Sequence, residues 1–245
     1  MSDPVRDFEE RNRERVAAMA SDATLGDVTR EWFARASKHE YSYHFQWMGR
    51  PIIQFPQDII AAQEIIWRTR PDLVIETGIA HGGSLVFYAS MLELLGGEGR
   101  VLGVDIDIRP HNRAAIEAHP MKKRIDMIEG SSVDEAVVVR VRETAARHER
   151  VLVVLDSNHT HEHVLRELRL YSPMVTPGSY LLAFDTIIED MPPDFSADRP
   201  WAPGNNPKTA VSEFLKETDR FEIDHEIESK LLITVAPGGY LRRKR

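Results

Sequence analysis

The stretch that decides the fold is Leu73-Val74-Ile75-Glu76-Thr77-Gly78-Ile79-Ala80-His81-Gly82-Gly83-Ser84. It opens with a short apolar run, which predicts a buried strand, and closes in a glycine-rich turn. The apolar segment from Leu85 to Leu95 then predicts a helix that ends at Gly96-Gly97, and residues 101–104 predict a second strand ending at Asp105. This strand, helix and strand make one βαβ unit, so the two strands are expected to lie parallel in one sheet.

The same alternation continues along the chain. Further strands are predicted at 125–129, 151–155 and 179–183, with helices near 113–118, 135–148 and 163–171. Residues 191–207 hold five prolines and are predicted to form a surface loop. Residues 221–227 and 231–235 are predicted as two final strands in an antiparallel hairpin. The predicted fold class is α/β, a Rossmann-like, mostly parallel sheet with a C-terminal antiparallel hairpin.

Two regions are expected before the first strand of that sheet. Residues 1–40 are predicted to form a helical N-terminal arm, with Trp32 and Phe33 among its apolar anchors and a role in packing or oligomer contact. The loop that follows leads into a helix across 59–67. Residues 41–245 are predicted to be the single main domain.

Composition narrows the class of partner. The chain of 245 residues has a formal net charge of -8, which repels polyphosphates at long range, so nucleic acid is not an expected partner. It has no cysteine and therefore no thiol nucleophile or thiolate metal site. No apolar run is long enough to span a bilayer, and the first fifteen residues are too charged for a signal peptide. A cytoplasmic location is therefore expected.

The glycine-rich turn is a predicted cofactor site, because open α/β sheets bind ligands at the carboxyl ends of their strands. Backbone amides at the helix start, with Ser84 as a cap, can hold the methionine carboxylate of S-adenosylmethionine (SAM). Asp105 is placed to accept hydrogen bonds from both ribose hydroxyls, and the segment after the third strand can border the adenine. The predicted cofactor-binding residues are Glu76, Gly78, His81, Gly82, Gly83, Ser84, Asp105, Ser131, Ser132 and Asp156.

Methyl transfer to oxygen needs in-line alignment and a more nucleophilic hydroxyl. A divalent cation such as Mg²⁺ or a general base can supply the second requirement. Asp156 and Asp185 end neighbouring predicted strands and are the metal candidates, with Asn158, His161 or Thr186 able to complete a shell. His159 is the predicted base, and His159 and Asp156 are the predicted catalytic residues.

Aromatic residues in loops are predicted to wall the acceptor pocket or to belong to local core. These residues are Tyr41, Tyr43, His44, Trp47 and Trp201. A solvated helix start is the alternative for the histidines at 159, 161 and 163.

The chain resembles the cephalosporin hydroxylase-like methyltransferases, a group that includes enzymes similar to rhamnosyl O-methyltransferases. The resemblance is carried by residues 49–58, 70–84, 104–107 and 155–161. It implies a seven-stranded SAM-dependent methyltransferase domain across 41–245, homo-oligomerisation, and O-methylation of a sugar or small natural product.

Comparison with metal-dependent catechol-type methyltransferases leaves open whether a divalent cation or a general base activates the acceptor hydroxyl. Those enzymes place a lysine base three residues after the first aspartate and an acidic pair at the later strand. This chain has His159 at the lysine position and Phe184-Asp185 at the pair, so one metal ligand of that pattern is missing. The departure favours His159 as the base over a strongly bound metal.

Two other functions remain open at this level. A nicotinamide-dependent oxidoreductase shares the sheet, although its G-x-G-x-x-G turn has a different glycine spacing. A non-catalytic SAM-binding subunit of a biosynthetic complex is suggested by Phe184, whereas the intact Asp105 and glycine turn argue against it.

Overall fold

The computed structural model describes residues 3–245, apart from the side chains of Pro193 and Asp194. The strands are β1 (Phe45–Trp47), β2 (Arg50–Ile52), β3 (Leu73–Thr77), β4 (Arg100–Asp105), β5 (Ile125–Glu129), β6 (Val151–Leu155), β7 (Tyr180–Ala183), β8 (Phe221–Ile223) and β9 (Tyr240–Arg243). The helices are α1 (Pro4–Ser21), α2 (Ala23–Ser37), α3 (Pro56–Thr69), α4 (Gly83–Leu95), α5 (Pro110–Glu117), α6 (Glu135–Ala145), α7 (His161–Tyr171), α8 (Pro207–Glu217) and α9 (His225–Leu231).

Seven strands form one sheet in the order β5-β4-β3-β6-β7-β9-β8. The first five are parallel to one another, whereas β9 runs antiparallel to both β7 and β8. The predicted fold class is therefore confirmed. The order of the sheet reverses between β4 and β6, on either side of β3, and such a switch point is where open α/β sheets bind ligands.

Helices cover both faces of the sheet, which is why its central strands are continuous apolar runs. Val74 of β3 packs into a core with α3 and α4, and the alternate residues Leu73 and Ile75 pack into a second core with α6, α7 and α8. All five residues of β3 are buried. Burial on both faces holds the carboxyl end of β3, and the turn that follows it, in a fixed position.

The predicted C-terminal strands are partly wrong. Residues 231–235 are not a strand: the antiparallel partner of β8 is β9, and α9 lies between the two. Leu232 has a φ of 60°, which breaks an extended chain, and the amide of Val235 donates to the buried carboxylate of Asp58 rather than to a strand. The apolar residues of this segment are core contacts, so periodicity alone could not assign them.

Two other differences concern the helices α8 and α9. The strand predicted at 221–227 ends at Ile223, and α9 begins at His225. The helix α8, which was not predicted from the sequence, follows the proline-rich loop. Asn206 caps α8 through a capping box with Thr209, and Pro207 occupies the first turn. The loop at 191–207 is otherwise irregular, as predicted, apart from a short 3-10 turn at Pro193–Ser196.

The predicted helical arm consists of α1 and α2. Phe33 of α2 is buried and stacks on Phe55 with ring centroids 4.9 Å apart, whereas α1 has no buried residue and packs on α9. A division into an arm at 1–40 and a domain at 41–245 stays a prediction. Within residues 3–245, no helix combines the length and the apolar character needed to cross a membrane.

Candidate functional site

The turn after β3 is packed so tightly that side chains are excluded from it. Gly78 has a φ of 89°, and a Cβ atom there would overlap the carbonyl oxygen of Asp156. A Cβ at Gly83 would overlap the carbonyl oxygen of Pro51. The glycines therefore let the turn pass between the loop after β6 and the end of β2.

Asp105 joins the turn to the end of β4. Its Oδ2 accepts a hydrogen bond from the amide of Ile79 at 2.7 Å, and its Oδ1 accepts one from the amide of Asp107 at 3.0 Å. Its Oδ2 also accepts a longer hydrogen bond from the amide of Ala80 at 3.4 Å, which leaves the second lone pair of Oδ1 for a hydroxyl donor from a ligand. Backbone hydrogen bonds thus hold the predicted ribose-binding carboxylate in place.

A brace outside the turn was not predicted from sequence. The Arg50 guanidinium donates to the carbonyl oxygen of His81 and to Oδ1 of Asn112, both within 3.0 Å. The Asn112 amide in turn donates to the carbonyl oxygen of Ala80 at 2.9 Å. Ala80 has a left-handed φ of 44°, which this brace helps to hold.

Glu76 lies fully buried beneath the turn. Its Oε2 accepts a hydrogen bond from the Ser84 hydroxyl at 2.8 Å. Burial raises the pKa of Glu76 to about 8, because a charged carboxylate loses its hydration there; the Ser84 hydrogen bond opposes this rise, and the nearby Asp105 adds to it.

The predicted cofactor residues line one cleft and its continuation. The cleft is bounded by 51–54 on one side and by Gly78, His81, Gly83, Ser84, Asp105 and Asp156 on the other. Its continuation beyond Asp105 is lined by Ser131, Ser132 and His163. Of the ten predicted residues, two are outside the lining: Glu76 is buried beneath the turn, and Gly82 is buried within it.

His163 is a residue of this continuation that the sequence analysis left without a role. Its Nε2 lies 3.1 Å from the Ser132 hydroxyl and 3.2 Å from the Ser157 hydroxyl, and Ser157 donates to the buried Glu167 at 2.7 Å. No sequence signal indicates this contact, because only the fold brings His163 next to Ser132.

Asp156, His159 and Asp185 meet at the carboxyl ends of β6 and β7. One ligand atom from each lies within 4.8 Å of the other two, and His159 Nε2 lies 3.3 Å from Asp185 Oδ2. The parallel pairing of β6 with β7 explains this convergence, because it brings the residues that follow both strands to one edge. Burial raises the pKa of Asp156 well above its usual range, and the negative charge of Asp185 raises it further.

The other residues suggested for a metal shell lie elsewhere. His161 contacts Thr209 and Glu213 of α8, and the Thr186 hydroxyl donates to the carbonyl oxygen of Pro237. Asn158 Oδ1 accepts from the amide and hydroxyl of Thr160. Phe184 is buried and provides no ligand atom.

A second cavity, of about 460 Å³, opens beside this cluster. Tyr41, Tyr43 and Trp201 line it, and the Trp201 ring meets the His159 ring edge-on with centroids 4.8 Å apart. His44 and Trp47 do not line it: Nε2 of His44 lies 2.8 Å from the carbonyl oxygen of His39, and Trp47 donates to the Ser90 hydroxyl. The residues shared by the cleft and this cavity are Ile53, Gln54, Ala80, Asp156 and Ser157.

The chain is similar to known proteins over most of its length. Residues 39–244 match the family model described as Rhamnosyl O-methyltransferase/CmcI. A rhamnosyl O-methyltransferase of Mycobacterium leprae (strain TN) is 31% identical over 202 residues, which cover 81% of this chain and 82% of the relative.

Solved structures support the fold. An apo structure of CmcI superposes with a TM-score of 0.62 at 21% identity, over 83% of this chain and 77% of CmcI. A CmcI structure with Mg and SAM gives 0.59 at 19% identity, over 83% and 78%. The chain belongs to the rhamnosyl O-methyltransferase/CmcI family.

Proposed function

We propose that this protein transfers a methyl group from SAM to a hydroxyl oxygen of a sugar or sugar-bearing natural product. Membership of the family makes the chain a SAM-dependent O-methyltransferase. The observation that carries the proposal is that the predicted cofactor cleft and the second cavity meet at Asp156, beside His159. A methyl donor in one and a hydroxyl in the other would face each other across that junction.

The cofactor is assigned to the cleft because the glycine-rich turn and Asp105 border it. The adenosyl ribose is placed against Asp105, whose carboxylate is held by three backbone amides and has a lone pair of Oδ1 left for a ribose hydroxyl. The adenine is placed in the continuation beside Ser131 and Ser132. The methionine end then lies toward the junction.

His159 and Asp185 are the proposed activating pair. As the acceptor oxygen attacks the methyl carbon, the carbon–sulfur bond breaks, and S-adenosylhomocysteine (SAH) leaves with the electron pair on sulfur. The hydroxyl proton passes to His159, and the Asp185 carboxylate, 3.3 Å away, stabilises the imidazolium.

The same cluster fits a divalent cation. Asp156 and Asp185 place carboxylate oxygens within 4.8 Å of each other and would be the oxygen ligands that Mg²⁺ prefers, which leaves the His159 imidazole free to accept the proton. When bound, the ion would lower the pKa of the acceptor hydroxyl. A CmcI structure containing Mg and SAM is consistent with this proposal.

The acceptor class is inferred from the cavity and from the relatives. A volume of about 460 Å³ accommodates a glycosyl unit, with Tyr41 and Trp201 as aromatic walls and Glu40 and Arg199 as polar groups. The Mycobacterium leprae relative is named a rhamnosyl O-methyltransferase. We therefore expect a deoxysugar glycoside to be a better acceptor than the corresponding aglycone. Homo-oligomerisation stays part of the proposal.

Two measurements test the assignment. Incubation with methyl-labelled SAM and paired acceptors, a rhamnoside and its aglycone, should label only the rhamnoside, with SAH formed in equal amount. Activity should fall at least about tenfold in a chelator and return with Mg²⁺. Labelling of neither acceptor, with no SAH formed, would overturn the function, while chelator-resistant activity would remove the metal only.

A matched pair of variants tests the cofactor site. Asp105→Ala should weaken SAH binding by about tenfold or more, because it removes charge-assisted hydrogen bonds to the ribose. Asp107→Ala, which changes an exposed neighbour, should bind SAH normally. Equal affinity in the two variants would contradict the ribose assignment.

A further inference from the structure

Gln54 is a buried polar residue for which the fold supplies no partner. It lies between β2 and α3, is 3% exposed, and lines both the cofactor cleft and the acceptor cavity. Both its Oε1 and its Nε2 are buried without a hydrogen-bond partner anywhere in the described residues 3–245. Buried amide groups are nearly always paired, so an orphaned one at a ligand cleft points to a partner that binds there.

Two neighbouring groups share this property. Oε1 of Glu76 and the hydroxyl of Tyr88 are also buried and unpartnered within the part of the chain that the structure describes. Burial raises the pKa of the Tyr88 phenol, and the nearby Glu76 carboxylate raises it further, whereas the neighbouring Gln54 amide opposes this rise. Neither Glu76 nor Tyr88 lines the cleft, so of these three residues only Gln54 presents an unused donor, Nε2, and an unused acceptor, Oε1, to a ligand there.

The amino-acid end of SAM matches the side-chain amide of Gln54. Its ammonium offers donors, and its carboxylate offers acceptors, whereas an acceptor hydroxyl offers one of each on a single atom. A carboxamide presents a donor and an acceptor side by side, so it can bridge an ammonium and a carboxylate attached to one carbon. The junction position of Gln54 is also where the methionine end lies in the proposed binding mode.

We propose that Gln54 is a positioning residue for the amino-acid end of SAM, with Oε1 accepting from the ammonium and Nε2 donating to the carboxylate. The inference rests on the proposed function. Because the amino-acid end is bonded to the sulfur, holding it fixes the direction in which the methyl group points toward the acceptor cavity. Gln54 thereby contributes to the in-line geometry without contacting the acceptor.

Two ligands that differ only in the amino-acid end test whether Gln54 contacts that end. SAH carries the amino-acid end, and 5′-methylthioadenosine has the same nucleoside and thioether without it. Gln54→Met keeps the side-chain length and removes both hydrogen-bonding atoms. Calorimetry should show SAH binding about tenfold to a hundredfold weaker in the variant, with 5′-methylthioadenosine binding within about twofold of the wild type.

Stability and kinetics provide independent readouts. The ligand-free Gln54→Met protein should melt at the same or a higher temperature than the wild type, since an unpaired buried amide has been replaced by an apolar group. The KM for SAM should rise while the KM for the acceptor stays unchanged. Gln46→Met, at an exposed position of β1, is the matched control and should behave as wild type.

Gln54→Glu is a second variant that keeps size and polarity. It should also weaken SAH selectively, because a carboxylate there repels the carboxylate of the ligand. Equal loss of both ligands, loss of neither, or a rise in the acceptor KM alone would overturn the assignment of Gln54. If the wild type bound neither SAH nor 5′-methylthioadenosine, the proposed function itself would fail.

Discussion

Nε2 of His159 lies 3.3 Å from Oδ2 of Asp185, across the ends of two neighbouring parallel strands. Asp185 holds this position with a φ of 56°, a left-handed conformation that non-glycine residues adopt at some energetic cost. Backbone strain of this kind concentrates at functional sites. The pairing gives the imidazole a carboxylate partner that orients the ring at the edge of the acceptor cavity, where a base in methyl transfer is needed.

Replacing the base tests that relationship. His159→Ala should lower kcat by about a hundredfold or more, because general-base catalysis contributes a factor of about 10² to 10⁴. SAH affinity, measured by calorimetry, should stay within about twofold of the wild type, since His159 lies in the acceptor cavity rather than the cofactor cleft. His225→Ala, at an exposed position of α9, is the control. Undiminished kcat in His159→Ala would show that another group takes the proton.

The glycine turn makes a steric prediction. Gly78→Ala should lower the free energy of unfolding by several kcal/mol and abolish SAH binding, because its Cβ would displace the loop that begins at Asp156. Gly97→Ala provides a control for backbone strain alone: Gly97 has a φ of 72°, but nothing lies within 4 Å of its added Cβ. Urea unfolding of both variants measures the difference. Similar losses in the two proteins would mean that the close approach at Gly78 is unimportant.

The acceptor wall can be tested separately from the cofactor site. Trp201→Ala should raise the KM for a glycoside by about tenfold and leave the KM for SAM unchanged, because it removes an aromatic face from the acceptor cavity only. Trp67→Ala, which removes a tryptophan that is 62% exposed on α3, should alter neither constant. A rise in the KM for SAM instead would place Trp201 at the cofactor.

Local sequence patterns predicted the elements around the site well. The strands at 151–155 and 125–129 have the predicted bounds: the first is an apolar run that is buried throughout, and the second buries Ile125 and Ile128. Asp156 and Asp185 could be placed together because both follow such strands. Parallel topology converts these separate positions into one cluster.

Contacts between distant segments could not be predicted in this way. Gln54 was part of the matching stretch at 49–58, but a glutamine in a loop has no signature of burial or of missing partners. Leu231-Leu232-Ile233 reads as a strand because burial and sheet pairing favour the same residue types. The tertiary hydrogen bond from Val235 to Asp58, 177 positions apart in sequence, decides against it.

Glu76 leads to a prediction about stability and pH. Burial raises its pKa from the usual 4.5 to about 8, so between these values the folded state keeps a proton that the unfolded state releases. Since the folded state binds more protons, the free energy of unfolding falls as pH rises through this window, by up to about 1.4 kcal/mol per pH unit. Glu76→Gln cannot titrate and lacks this contribution.

The free energy of unfolding of the ligand-free proteins can be measured in urea at about pH 5 and about pH 8. Between these pH values, the free energy of unfolding of Glu76→Gln should rise relative to that of the wild type by about 2 to 4 kcal/mol. Glu117→Gln removes an exposed carboxylate from α5 and should show no comparable change. A constant difference between Glu76→Gln and the wild type across this range would mean that Glu76 is ionised in the folded protein at neutral pH. The negative charge would then have to be stabilised by Ser84 and the turn, and the cleft would attract the ammonium of SAM before any ligand arrives.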